Sequence, residues 1–345
     1  MAADKRRWTP IRKNALELSA FIGVHRRPHR ASRSNTHRRG TALLAVLWLS
    51  AALSAIAFAM SVTVRGETER AATSVDDLRS YYLASSGVER AAMELLFSTF
   101  GNQTLIPKDA GHIDYNFPSG LARVEIIPEA SKMDVNKASV ESLFRLITAI
   151  GVDPGRATTI VAAIADWRAP ANGGGAFDGY YLSRVPSFQS PHASFEEIEE
   201  LLAVRGVTPD IFYGTWAPAA ANGDPASSTL VRHSGLVDCL TVYGGLGAIQ
   251  LGAAEPAVLS AIGTAPDVIQ GIATQRANGA NSSEFTRIMM QGNAVFTFRS
   301  TARLKMPNGK YSDMRRTVAA QVKYEVQPSE VPYRVLRWYD TAWSN

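Results

Sequence analysis

The sequence predicts an α+β fold: one long amino-terminal helix, a small antiparallel sheet, and a large all-α domain inserted between the strands of that sheet. Three observations lead there. Residues 41–64 form a run of 24 without one charge and pass directly into a stretch with helical period. Strands of period two occur both around residue 125 and near the carboxyl-terminal end. Between them the period is helical and Gly/Pro punctuation recurs. Strands on either side of an insertion pair across it, which a plain string of two domains does not require.

The first element is a membrane anchor. At ~1.5 Å per helical residue the charge-free run reaches ~36 Å, enough to cross a ~30 Å hydrocarbon core with some tilt. Residues 1–40 hold 11 Lys/Arg and 2 Asp/Glu, a net of +9. The remaining residues hold 25 (36 minus 11) against 29 (31 minus 2), or −4. The overall charge of +5 is therefore a property of the leader and gives no warrant for a nucleic-acid partner. By the positive-inside rule the basic end stays in the cytoplasm and the bulk is exported. Arg65, Glu67, Glu69 and Arg70 follow the run with no small-residue cleavage site, so the segment reads as a retained single-pass anchor. A single cysteine, Cys239, excludes an intrachain disulfide and reads as a small buried hydrophobe.

Beyond the anchor, residues 61–98 hold no Pro and only two Gly. Leu78, Tyr81, Tyr82, Ser85, Val88, Ala92 and Leu95 recur at spacings of three and four, which predicts one helix of about 55 residues, ~80 Å long, ending near Ser98. Residues 121–127 form a weaker strand. From Ala294, the residues Phe296, Phe298, Ala302, Leu304 and Met306 alternate with Thr297, Arg299, Thr301, Arg303 and Lys305, the pattern of a half-buried strand. Pro307, Asn308 and Gly309 supply a hairpin turn. The return strand points Val318, Ala320, Val322, Tyr324 and Val326 inward, with Thr317, Gln321, Lys323 and Glu325 outward, and residues 333–339 form a last strand. The insertion carries an internal echo. Val135, Ala138, Leu143, Gly151, Pro154 and Arg168 are matched by Leu251, Ala254, Leu259, Gly263, Pro266 and Arg276, two degenerate helix-hairpin-helix-like repeats. The resulting division is 1–40 leader, 41–64 membrane span, 65–130 helix continuation and first strands, 131–291 inserted domain, and 292–345 final strands.

Arg38-Arg39-Gly40 followed by Thr41-Ala42-Leu43-Leu44-Ala45 resembles the leader junction of type IV prepilins. That resemblance implies cleavage after Gly40 by a prepilin peptidase and methylation of Thr41. The fifth mature residue is usually Glu; Ala45 stands there, and the K-type minor pseudopilins of type II secretion resemble this chain in having an apolar residue at that place. Tyr81-Tyr82-Leu83-Ala84, Gly87-Val88-Glu89-Arg90-Ala91, Asp166-Trp167-Arg168, Tyr180-Tyr181 and residues 195–209 resemble the same family in order. The resemblance implies a pilin-type fold and a structural, non-enzymatic component at the periplasmic tip of the pseudopilus. It also implies a protein of the inner membrane, amino terminus cytoplasmic and bulk periplasmic. Implied partners are the I-type and J-type minor pseudopilins, the prepilin peptidase and the inner-membrane secretion platform. Two other readings stay open: a type IV pilus minor pilin, and a membrane-anchored DNA-uptake receptor using the hairpin repeats.

Members of this family can carry calcium in the helical domain, on a loop rich in Asp after the Asp-Trp-Arg. Here residues 169–178 hold one carboxylate, Asp178, so the resemblance implies at most a reduced site from Asp166, Asn172, Asp178 and Glu200. The hairpin turns keep one Gly each, Gly151 and Gly263, where a phosphate-binding hairpin has two, which argues against nucleic acid. Of the six histidines, His25, His29 and His37 lie in the leader; His112, His192 and His233 show no metal or nucleophile spacing and read as surface or loop residues.

Overall fold

The structure is a computed structural model that describes residues 41–100, 112–170, 174–218, 230–244, 249–277, 294–325 and 333–342. The leader with Gly40, the loop residue Asn172, and Val326 lie outside the described residues. In chain order the elements are α1 (Thr41–Phe100), β1 (His112–Phe117), β2 (Gly120–Pro128), β3 (Met133–Asp134), α2 (Val140–Ala149), α3 (Pro154–Arg168) and α4 (Asp178–Leu182). Then come α5 (Pro209–Tyr213), β4 (Thr215–Pro218), β5 (Leu230–His233), α6 (Leu236–Cys239), β6 (Leu240–Thr241), α7 (Pro256–Ala261) and α8 (Pro266–Ala277). The chain closes with β7 (Ala294–Leu304), β8 (Arg316–Tyr324) and β9 (Tyr333–Tyr339); 3-10 turns occupy Glu129–Ser131 and Ile198–Ala203.

The chain forms two units, Met1–Glu67 and Thr68–Asn345, divided within α1. In the first, Leu44, Trp48, Phe58 and Val64 are among many exposed apolar side chains. Among the described residues α1 is the one helix long and apolar enough to cross a membrane.

In the second unit, α1 lies on a five-stranded antiparallel sheet of order β1-β2-β7-β8-β9. Neighbours β2 and β7 pair from Gly120↔Leu304 to Pro128↔Phe296, so residues 129–293 are enclosed between adjacent strands. The helix buries Val88, Ala91, Ala92 and Leu95 against Ala122, Val124, Phe296, Phe298, Val322 and Tyr324. The Tyr324 hydroxyl donates to the Ala92 carbonyl at 2.9 Å. Close approach depends on Gly87, where a Cβ would stand 2.6 Å from Ser300 Oγ and 2.9 Å from Ala122 Cβ. Leu78 and Tyr82, grouped from sequence with the residues that recur at spacings of three and four, are exposed instead.

The central strands depart from half-burial. Thr297, Arg299, Thr317 and Gln321, expected outward, are buried because the inserted region covers the second face of the sheet. Thr297 Oγ1 donates to Glu129 Oε1 at 2.6 Å, and Lys132 Nζ donates to that same oxygen at 2.9 Å and to the Val237 carbonyl at 3.2 Å. Arg299 pairs with Glu125 on β2 and reaches to 3.8 Å from Asp238 on α6. Strand β1 was not expected; Ile113 and Tyr115 point inward between Asp114 and Asn116, an alternation too short and polar to register. The Pro307-Asn308-Gly309 turn forms, with Gly309 at φ +78°, but it tips a longer arm, since the β7–β8 ladder ends at the pair Ala302↔Arg316 and the arm beyond holds an isolated bridge between Lys305 and Tyr311.

Nor is the inserted region purely helical. β3 and β6 pair in parallel, and β4 and β5 form a hairpin. Its core joins Leu143, Leu146 and Ile147 of α2, Ile160, Ile164 and Trp167 of α3, and Val258 and Leu259 of α7. Both α2 and α7 end in the same way. Gly151 (φ +94°) and Gly263 (φ +85°) adopt the left-handed conformation. Their amides donate to Thr148 and Ser260, and those of Val152 and Thr264 to Ile147 and Leu259, which closes each helix with a paired carboxyl-terminal cap.

Candidate functional site

At the amino-terminal end, Thr41 is the first helical residue and Ala45 is exposed on the first turns of α1. Further along, α1 shows two faces. Val75, Leu78, Tyr82, Met93 and Phe97 are exposed, and at 3.6 residues per turn they fall on the side opposite the residues buried on the sheet. This apolar stripe stands outside the core that the chain forms by itself.

The inserted region offers a polar cluster at the carboxyl-terminal end of α3. Trp167 anchors it, stacked on Phe195 with ring centres 5.8 Å apart and edge-on to Tyr181 at 5.4 Å. Burying Trp167 places the preceding residue, Asp166, at the rim beside the loop that leads into α4. Asp166 Oδ1 accepts from the Ala176 amide at 2.8 Å, and Oδ2 accepts from Phe177 at 3.4 Å. Asp178 reaches back to the Gly175 amide at 2.7 Å through Oδ2. Its Oδ1 stands 2.8 Å from His192 Nε2, while His192 Nδ1 stands 3.2 Å from the Asp166 carbonyl. Oxygen and nitrogen atoms of Asp166, Asp178 and His192 thus come within 4.8 Å of one another. The bond to Asp178, followed by the Asp166 carbonyl, holds the His192 pKa above its ordinary value against the effect of burial. The Gly175 amide first, and then His192, hold Asp178 below the usual carboxylate range.

Two of the four residues implied as calcium ligands, Asp166 and Asp178, are brought together. Glu200 is not among them: its Oε1 accepts from the Glu196 and Glu197 amides at 2.9 and 2.8 Å and starts the Ile198–Ala203 turn. His192, read from sequence as an isolated loop residue, is instead at the centre. It lies 26 residues from Asp166, and no spacing rule joins the two.

Among the described residues this donor set does not suit calcium. The ion takes six to eight oxygens, several from carboxylates, whereas two carboxylates here are already met by three amide N–H groups and a ring nitrogen. The first hairpin is likewise closed to phosphate. The Gly151 and Val152 amides are used inside the α2 cap, and Asp153 Oδ2 accepts from Gly155 and Arg156 at 3.0 and 3.2 Å, placing an anion where a phosphate would sit.

Comparison with known proteins gives three findings. Residues 121–214 match the family model for type II secretion system protein K. The crystal structure of the GspK-GspI-GspJ complex from the type 2 secretion system of enterotoxigenic Escherichia coli is similar at a TM-score of 0.48 and 14% identity, covering 80% of this chain and 100% of that chain. No curated protein matches. The matched residues run from β2 through the α3 rim and its aromatic anchor to the end of α5. Over residues 121–214 the chain is thus similar to the type II secretion system protein K family.

Proposed function

We propose that this protein is a minor pseudopilin of type II secretion, held in the inner membrane by the first part of α1 with its bulk in the periplasm. The observation that carries this reading is the placement of the family-matched segment. It begins on β2 and continues into a region that interrupts a helix-backed sheet between adjacent strands. Its partners on this reading are the I-type and J-type minor pseudopilins. The apolar stripe of Val75, Leu78, Tyr82, Met93 and Phe97 supplies a helix face of the kind that packs against another helix.

Its position in the filament follows from Ala45. A carboxylate at the fifth mature residue neutralises the amino terminus of the subunit already above, and an unpaired charge in lipid is costly. A subunit with nothing above it needs no such group. The breadth of the inserted region fits the same place, since it obstructs nothing at an end. The prepilin peptidase and secretion platform follow as partners in processing and assembly.

The hairpin repeats also fit an internal duplication. Arg168, at the end of α3, donates to the Val135 and Ala138 carbonyls at 2.6 and 2.7 Å. Arg276, at the end of α8, donates to the Leu251 carbonyl at 3.1 Å and also to that of Ala254. Val135 and Ala138 correspond to Leu251 and Ala254 in the echo, so each unit closes on itself by the same contact. A packing device of this sort accounts for the repeat without DNA.

The test is deletion of the gene in its host. Loss of extracellular export of folded proteins, restored by the intact chain, is the expected result. Intact export with loss of twitching motility would favour the pilus reading, and intact export with loss of DNA uptake would favour the receptor reading.

A further inference from the structure

The arm at residues 305–315 extends past the β7–β8 ladder and is held in shape by its own backbone. The Lys305 amide donates to the Ser119 carbonyl, Ser312 to Leu304 and Met306 to Lys310, each at 2.8 Å, and Gly309 donates back to Met306 at 2.9 Å. Arg303 donates to the Ser312 carbonyl at 2.9 Å and lies over the Tyr311 ring. Residues 303–316 hold five cations, Arg303, Lys305, Lys310, Arg315 and Arg316, against one carboxylate, Asp313, a net of +4. Residues 41–345 sum to −4, so the rest of that span carries −4 minus +4, or −8. Arg316 is met by Asp77 at 3.4 Å and Arg303 by Asp313 at 4.0 Å. Lys305, Lys310 and Arg315 are exposed and have no ion pair among the described residues. Met306 and Tyr311, between them, are 41% and 38% exposed.

Contacts with α1 fix the direction in which the arm points. Phe296 and Phe298 share a core with Leu95, whereas Ala302 and Leu304 pack with Leu83 and Ala84, so β7 runs toward the amino-terminal end of α1. Arg316, opposite Ala302 on the ladder, reaches Asp77. From Asp77 back to Val64, the end of the charge-free run, the chain is helical, at most ~20 Å at ~1.5 Å per residue. From Ala302 to Asn308 the arm spans up to ~20 Å at ~3.3 Å per residue, so the two lengths match. We propose that the arm is a membrane-surface contact: Lys305, Lys310 and Arg315 dock on anionic phospholipid headgroups at the bilayer face where α1 emerges, and Met306 and Tyr311 enter the interface between them. Charge complementarity selects this occupant, because the arm is the cationic part of an otherwise acidic exported chain and points to the end that leads into the membrane. Amphipathic Tyr suits the headgroup level, and an arm already ordered loses little freedom on docking. The inference rests on the reading of α1 as a membrane anchor.

The test uses the full chain in lipid vesicles, with a fluorophore on Pro307→Cys at the exposed tip and Cys239 left unlabelled because it is buried. A lipid carrying a nitroxide on its headgroup is the quencher. In vesicles of phosphatidylcholine with phosphatidylglycerol, quenching is expected, and it should fall in ~1 M salt, where the screening length is ~3 Å. The ratio of docked to undocked arm should fall about fivefold for each of Lys305→Gln, Lys310→Gln and Arg315→Gln. Equal quenching in phosphatidylcholine alone, or quenching unchanged by the three substitutions together, would overturn the proposal. Absence of quenching from the anionic vesicles would do the same, including the case in which the three cations are needed instead for cross-linking to a partner pseudopilin. The salt and lipid comparisons keep all three cations, so they decide even where the substituted chains do not fold. Flotation separates this proposal from the anchor reading. A chain that floats with both kinds of vesicle but shows no quenching loses the arm contact alone, whereas a chain that floats with neither loses the anchor and the contact together.

Discussion

Gly87→Ala is the substitution whose outcome depends most directly on how α1 meets the sheet. In an exposed helix interior this change is favourable by about 1 kcal/mol, because Ala loses less backbone entropy on folding than Gly. At Gly87 the new Cβ meets Ser300 Oγ at 2.6 Å, Ala122 Cβ at 2.9 Å and Val124 Cγ2 at 3.1 Å. Ser300 can rotate away. Ala122 cannot, since its Cβ is bonded to the backbone of β2, a central position paired on both sides. The helix has to lift, and overpacking of that kind costs about 1–3 kcal/mol. The net expectation is a loss of about 1 kcal/mol, or a fall in Tm of roughly 2–4 °C for a chain of this size. Gly271→Ala in α8 is the matched control, because nothing lies within 4 Å of the added atom. It is expected to raise Tm by about the same 2–4 °C. Differential scanning fluorimetry of the two variants beside the parent gives the comparison. Equal stabilisation by both would show that α1 does not sit on the sheet as closely as Gly87 implies. The exposure of the stripe on its far side would then lose its structural basis.

Four further outcomes are expected. Gly40→Val should leave an unprocessed precursor on immunoblots, whereas the parent should give an amino-terminal sequence starting at methylated Thr41. Tyr82→Asp and Leu78→Asp should leave Tm within about 1 °C, as surface changes do, yet reduce cross-linking to the I-type and J-type pseudopilins severalfold. Arg168→Ala should cost about 2–3 kcal/mol, since it leaves the Val135 and Ala138 carbonyls without their charged donor; a denaturation midpoint matching the parent would contradict the closing role of this residue. Ala45→Glu should support secretion at or slightly below the parental level, with immunogold label confined to pseudopilus ends, and label along the whole length would rule out the tip position.

Much of the architecture was legible because the signals were of single period. The charge-free run, the helical spacing from Val88 to Leu95 and the alternation in residues 294–304 and 316–324 each reflect burial on one face. What escaped notice was burial on a second face. Thr297, Arg299 and Gln321 are polar, and alternation alone sends them to solvent. They are inside because Glu129, Lys132 and Asp238 of the inserted region offer them partners. A polar residue opposite a polar partner from a distant segment has no local signature, and the same reason hides the pairing of β3 with β6 across residues 134–240.

The polar cluster at α3 shows the same limit and also a compensation that composition half reveals. Counting carboxylates between residues 169 and 178 is enough to doubt calcium, because one acid there cannot assemble the oxygens the ion needs. The count says nothing of what replaces it. In the folded chain Asp166 and Asp178 are met by three amide N–H groups and by a ring nitrogen of His192. One half of this cluster lies beside the Asp-Trp-Arg and the other half lies beyond α4, on a turn whose left-handed backbone only the folded chain makes visible, so no local pattern in the sequence joins them.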